Sequence, residues 1–359
     1  KGAFWYTLQG LRKHWERIDV ICPRPKSPAK ASGESCKVAR DLEQGSVFFH
    51  PHKGGLLSQS SWIVLKGSAL HKEHQYAAMT IHEYPPFYNG RGALRLAART
   101  GIPSLLEIHH IVGLPTAANV PEWIGRMLSR WYLPIEARRA SAVRTVNGEV
   151  KDILTSWGVP AEKIAVIPSF YLDRDILTGG EQSQKEYDLV FCARLVSNKG
   201  LGAVLEALLH LPDASLVVIG DGPKRSDFER YAKDLGVNDQ VTFTGWLPSQ
   251  QDVANKIKSA RIFLMNSTSE GGPRSALEAM ACGIPVVATP VGVMPDVLQD
   301  GVNGLFTTGE AADLIECIES LLGDPAACSA LGKEASTIVD RFERNHLIEQ
   351  YSDFLRTLL

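Results

Sequence analysis

A chain of 359 residues is long enough for two domains, each with its own core. With 44% hydrophobic and 22% charged residues it reads as an ordinary globular protein, which excludes a disordered chain, and no apolar run approaches the ~20 residues of a membrane span. Six scattered cysteines (Cys22, Cys36, Cys192, Cys282, Cys317, Cys328) form no C-x-x-C pair, which argues against a disulfide framework or a zinc site and for reduced thiols in a cytoplasmic protein without a signal peptide.

The opening KGAFWYTLQGLRKHW reads as a helix that should follow a strand and a Gly-rich turn; the strand is expected upstream, and Gly2 belongs to the turn. Apolar runs then recur as IDVICPRP, SVFFHPH, YAAMTIHEY, SLLEIHH, SAVRTVN and KIAVIPS. They alternate with helical stretches such as GALRLAARTG and EVKDILTSWG. This half predicts an open α/β sheet, residues 1–170. It carries 22 Lys and Arg against 13 Asp and Glu, whereas residues 171–359 carry 16 against 27. A basic half suggests an anionic partner, either membrane phospholipid or a phosphate-bearing acceptor, though a basic solvated surface is an equal reading. Within it, NVPEWIGRMLSRWYLPIEARRASA combines Trp123, Met127, Trp131 and Tyr132 with Arg126, Arg130, Arg138 and Arg139, as an interfacial helix would; core packing is the competing reading.

A polar, Gly-containing stretch, PSFYLDRDILTGGEQSQKEY, suits a linker. Beyond it YDLVFCAR, SLVVIGDG, VTFTGW, RIFLMNS, IPVVAT and GLF are short, nearly continuous apolar runs separated by amphipathic helices, the pattern of a buried parallel sheet in a second doubly wound domain, residues 171–342. The last segment, residues 343–359, places Leu347, Ile348, Tyr351, Phe354, Leu355 and Leu358 at helical spacing with one apolar face.

The chemistry concentrates in SEGGPRSALEAMACGIPVVATPVG, residues 269–292. A strand ending near Asn266 feeds a Gly-rich loop, and a helix starts at Pro273 or Arg274 and stops at Gly283. A helix start outside the carboxyl end of a parallel strand offers unpaired N–H groups to an anion, and Gly271 and Gly272 let backbone approach it. Glu270 and Glu278 cannot bind phosphate but can accept from hydroxyls, so the set suits a phosphate flanked by sugars. From spacing alone, Glu278 as a solvated helix face and Glu270 as a loop charge is an equal reading. Three look-alikes are set aside. GDGPKR has Arg225 where a dinucleotide fingerprint needs glycine, DRD at 173–175 lies in the linker, and HPH at 50–52 lacks zinc spacing.

The same stretch resembles the E-x7-E signature of retaining glycosyltransferases of family 4, and the likeness continues in ARLVSNKG, VVIGDGP, VTFTGW and DGVNGLF, across almost the whole second half in the family's order. The first half is similar more loosely, in IHEYPPFYNGRGALRLAARTGIPSLLEIHH and KIAVIPSFYLD. The resemblance implies a GT-B fold, with two Rossmann-like domains facing across a cleft and the terminal helix crossing back to the first. It also implies retention of configuration, a nucleotide diphosphate sugar as donor, and neither metal nor cofactor. By position, His109, Arg194, Lys199 and Glu270 are the catalytic candidates. Gly2, Gly245, Trp246, Gly271, Gly272, Arg274, Ser275, Leu277 and Glu278 are the donor-binding ones. Ala193 replaces the usual Gly, and Gly272-Pro273 a common Phe-Gly.

The expectation is a hexosyltransferase acting on a glycan, a lipid-linked or another acceptor, cytoplasmic or peripheral on the inner face of an anionic membrane, with no nucleic-acid partner. A nucleotide-sugar epimerase of similar fold and a non-catalytic sugar-nucleotide or glycan-binding subunit are the alternatives.

Overall fold

The computed structural model describes residues 3–23, 46–114, 117, 119–169, 172–179 and 184–359. Gly2, and the upstream strand and turn expected with it, lie outside them.

Every strand expected from an apolar run is present. In the first half β1 (Ile18–Cys22) pairs with β2 (Val47–Pro51), while β3 (Met79–His82), β4 (Ser104–Ile108), β5 (Ala142–Thr145) and β6 (Ile164–Val166) form a separate four-stranded sheet in sequential order. The open sheet of this half is therefore described in two pieces. In the second half β7 (Tyr187–Cys192), β8 (Leu216–Ile219), β9 (Val241–Gly245), β10 (Ala260–Met265), β11 (Val286–Ala288) and β12 (Gly304–Phe306) form one sheet in the order β12-β11-β10-β7-β8-β9. All these ladders are parallel. The order reverses beside β7 and β10, so crevices open at their carboxyl ends, where Arg194 and Glu270 follow.

Parallel strands covered on both faces must be apolar on both, and the second sheet obeys. Val190, Val217 and Phe263 point into one buried cluster, and Leu189, Phe191, Leu216 and Ile262 into the other. Cys192 and Cys282 belong to these layers, and burial pushes both thiols up to about 12. The look-alike motifs are absorbed structurally. Asp173 caps the helix Arg174–Thr178 and its Oδ2 accepts from Arg344 Nη1 at 3.0 Å; His50 sits 2.6 Å from Asp19 Oδ1 at the end of β2.

The terminal helix Arg344–Arg356 joins the halves. Leu347 and Ile348 enter the second domain's core, while Tyr351 and Leu355 pack with Leu105, Ala142 and Ile167 of the first. Four such side chains, at roughly 1.5–3 kcal/mol each, are a large share of a domain's net stability. A chain ending at Phe342 is expected to lose solubility and cooperative melting in both domains; a soluble, fully active truncation contradicts this role.

Candidate active site

Arg194 follows β7 and is exposed at the cleft. Its loop is held by close approach. Gly222, in the GDG turn after β8, lies where a Cβ would stand 2.7 Å from the Leu195 nitrogen, and Gly220 has φ +126° against Ala193. These glycines make room for the Arg194 loop. Lys199 stands one residue before Gly200, which has φ +72° and packs on the Asn266 carbonyl at the end of β10. That contact draws two strand ends together and delivers Lys199 to Glu270.

Lys199 Nζ donates to Glu270 Oε1, which also accepts from Ser267 Oγ at 2.9 Å. The two residues that the sequence separates by 71 positions form one ion pair, both side chains largely withdrawn from solvent. Glu278, on the helix Arg274–Ala281, is buried, and its Oε1 accepts from Arg274 Nε at 2.9 Å and Gln250 Nε2 at 3.1 Å. Burial raises its carboxyl above the usual range while Arg274 and Gln250 oppose the shift. Glu278 is thus no solvated helix face. A buried carboxylate held by a guanidinium and an amide is an oriented acceptor.

Other residues occupy different places. Leu277 is fully buried in the core, with its N–H bonded to the Pro273 carbonyl at 3.3 Å, so its side chain cannot touch a donor. Its position on the helix's apolar face, one step from Glu278, turns it inward. Ser275 Oγ donates to the Cys192 carbonyl at 2.6 Å, tying the helix to β7. Gly245 closes β9 with φ +71°, and Trp246 beyond it is 81% exposed. Gly272 precedes the helix at the cleft. Gly271 has a further role the sequence did not reveal: a side chain there would run into the His109 carbonyl. The missing Cβ lets the two domains touch as well as leaving backbone free.

Across the cleft, β4 ends in His109 and His110. His109 turns back into its own domain, its Nε2 3.1 Å from Glu107 Oε2 and its ring edge-on to His82 with centroids 5.3 Å apart. Glu107 is fully buried; Arg144 Nη1 donates to it at 2.7 Å and Tyr351 from the terminal helix at 2.6 Å. Burial alone would raise this carboxyl, but the charges of His82, Arg144 and His109 hold it well below the usual range. His82, Glu107 and His109 bring ligand-type atoms within 4.8 Å of one another, with the Arg144 guanidinium already neutralising the carboxylate there. His110 is the histidine that faces the loop carrying Glu270 and Gly271. Burial lowers its pKa while the charge of Glu270 opposes that. Sequence reasoning named His109 and passed over His110, because adjacent residues at a strand end differ only in which way the chain turns.

Four further contacts close the cleft. Ser269 Oγ donates to the Leu114 carbonyl at 2.6 Å and Asn147 Nδ2 to the Gly271 carbonyl at 2.6 Å. Gly148 N donates to Asp296 Oδ2 at 2.8 Å and Gly292 N to Glu149 Oε2 at 2.9 Å. Asn147 and Glu149 were not singled out in the sequence; both follow β5, whose carboxyl end faces the same cleft.

The arrangement joins two family descriptions that between them span nearly the whole chain. "Glycosyltransferase Family 4" matches residues 4–171 and "Glycosyl transferases group 1" matches residues 174–337. The chain belongs to the family 4-like glycosyltransferases of GT-B fold. This glycosyltransferase is 32% identical over 164 residues to the lipopolysaccharide core biosynthesis glycosyltransferase LpsE of Rhizobium meliloti, a match covering 45% of this chain and about half, 47%, of that one. It is 26% identical to the 2-deoxystreptamine glucosyltransferase of Streptomyces kanamyceticus, over 70% of each chain. Its fold matches Anabaena HepE, solved in complex with UDP and glucose, with a TM-score of 0.73 and 20% identity over 95% of this chain and 100% of that one.

Proposed function

We propose that this glycosyltransferase moves a hexose from a nucleotide diphosphate sugar, of which UDP-glucose is the first to test, to a glycan or lipid-linked acceptor with retention of configuration and without a bound metal. The observation that carries the reading is the convergence of Arg194, the Lys199–Glu270 pair and the buried Glu278 around one helix start, opposite His109 and His110. As the bond from the sugar to the diphosphate breaks, negative charge grows on the leaving group. Arg194, Lys199 and the N–H groups of the helix start are the cations and dipoles within reach of it. Lys199 is held by Glu270 until a diphosphate competes for it, so donor binding exchanges one anionic partner for another. Glu270, released, is then an acceptor for donor-sugar hydroxyls, and Glu278 for the ribose. Support for UDP comes from the fold match to HepE, whose complex contains UDP and glucose.

Removing either carboxylate separates these roles. Glu278→Ala is expected to weaken binding of free UDP by roughly 10- to 100-fold, the worth of a charged hydrogen bond of about 1.5–3 kcal/mol, measured by titration calorimetry. Glu270→Ala frees Lys199 for the diphosphate, so UDP affinity should hold or rise while turnover of the nucleotide sugar falls. Unchanged UDP affinity in the Glu278 variant contradicts the assignment.

A further inference from the structure

The helix Val120–Arg139 has its faces reversed. Its buried side holds Gly125, Ser129, Leu133, Pro134, Glu136 and Ala137, small or polar for the most part. Val120, Trp123, Ile124, Met127, Leu128, Trp131 and Ile135, at the i, i+3, i+4 spacing that normally marks a core stripe, are exposed; Trp123 is 55% and Trp131 71% exposed. An apolar stripe along 20 residues, about 30 Å of helix, is larger than scattered surface leucines account for. The core-packing reading of this segment is overturned: the small residues face inward because the helix packs closely on the first domain.

The neighbouring charges say what covers the stripe. The adjacent helix Tyr88–Thr100 exposes Arg91, Arg95 and Arg99 one turn apart, and Arg91, Arg95 and Arg139 line a groove with Tyr132 and Ile135 at the far end of the apolar stripe. Among the described residues none of these arginines forms a salt bridge. Glu136, the carboxyl on the inner side of the helix, is driven towards its protonated form by burial and by the charge of Glu83, against the opposing charge of Arg139. Tryptophans beside exposed arginines on one surface match the acyl boundary and anionic headgroups of a bilayer.

We infer that Val120–Arg139 and the basic face of Tyr88–Thr100 form a docking surface that rests the first domain on an anionic bilayer. The helix begins at the cleft. A Cβ on Gly113 would stand 2.6 Å from the Glu122 carbonyl, and the same loop, through the Leu114 carbonyl, accepts from Ser269 beside the donor loop. Docking along the helix therefore brings the mouth of the cleft to the membrane surface, where an acceptor with a lipid anchor would present its sugar. That last placement rests on the transfer proposed above; the docking does not.

The test is co-sedimentation of the intact chain with vesicles of equimolar phosphatidylglycerol and phosphatidylcholine, against phosphatidylcholine alone. Binding to the anionic vesicles is expected, weakening as salt rises from about 0.1 M to about 0.5 M. The Trp123→Ser/Trp131→Ser double variant should bind at least about tenfold more weakly. Arg91→Gln/Arg95→Gln should lose the preference for anionic vesicles. UDP-induced thermal shift should be unchanged in both, which checks folding and reads the donor site separately. No binding, equal binding to neutral vesicles, or full binding by the tryptophan variant overturns the inference. So does sedimentation velocity showing a dimer that the tryptophan variant dissociates, since a second copy would then own the stripe.

Discussion

Lys199→Met is expected to lower turnover by about 100-fold or more with a much smaller loss of donor affinity, and Arg194→Met to do the same. Met keeps much of each stem and removes the charge, so under the proposed transfer what would be lost is stabilisation of the departing diphosphate, which is larger in the transition state than in the ground state. The two changes start from different ground states. Arg194 is exposed at the end of β7, so its removal leaves no buried partner stranded. Removing Lys199 strips Glu270 of its cation, leaving Ser267 Oγ as the remaining donor to that oxygen. Lys199→Met should therefore also lower thermal stability, while Arg194→Met should not. The double variant should lose less than the product of the two, because both groups serve one developing charge. Initial rates with UDP-glucose, or with whichever nucleotide sugar gives the largest thermal shift, decide it. Near-parent turnover in either single variant removes that residue from the mechanism, whereas a parent that binds the nucleotide sugar and turns over no acceptor favours a non-catalytic sugar-nucleotide-binding subunit.

Glu107→Gln is expected to lower stability by about 3–5 kcal/mol, and the melting midpoint by roughly 6–15 °C, because it leaves the Arg144 guanidinium buried beside a neutral amide. Arg144 also donates to the Ile167 and Pro168 carbonyls at 2.9 and 2.8 Å, so it cannot turn to solvent without breaking the exit of β6. The carboxyl titrates well below 4.5 in the folded chain, against about 4.5 unfolded. Its contribution is therefore fully present above that unfolded value and is lost as pH falls towards the depressed folded one. The parent's stability should fall with acid through this window, and the variant's, lacking the group, should fall less. Circular dichroism melts from pH 7 down to about pH 3 measure both. Parallel curves for the two proteins would mean that Glu107 carries no such charge. Since Glu107 also holds His109, the variant should change turnover as well as stability; Tyr351→Phe, which keeps Arg144 and His109 paired, should affect stability alone.

Each strand was legible in the sequence because a strand buried on both faces in a parallel sheet must be written as a short β-branched run, and these runs carry their own boundaries. The Gly-rich loop and the helix after β10 were legible for a related reason. Glu270, the glycines, the helix start and Glu278 lie within nine positions, so local chain geometry already fixes their order along the cleft. Lys199 and Glu270 were both named from the sequence, but their ion pair was not, since it depends on Gly200 meeting Asn266 across two strands.

What the sequence determined by itself is the set of elements, the second domain's motif and the two-domain plan, all encoded in patterns shorter than about 25 residues. Tertiary structure alone decided three things. It set His110 rather than His109 towards Glu270, because the turn after β4 orients neighbouring side chains oppositely. It enclosed Glu107 between Arg144 and Tyr351, which come from positions 144 and 351 and meet only when the terminal helix crosses back. And it put the tryptophan stripe of Val120–Arg139 outside. A helical hydrophobic period states that one face is apolar; which face meets the protein depends on how closely the neighbouring backbone must pack, and here Gly125, Ser129 and Ala137 win the inside because only small side chains fit there.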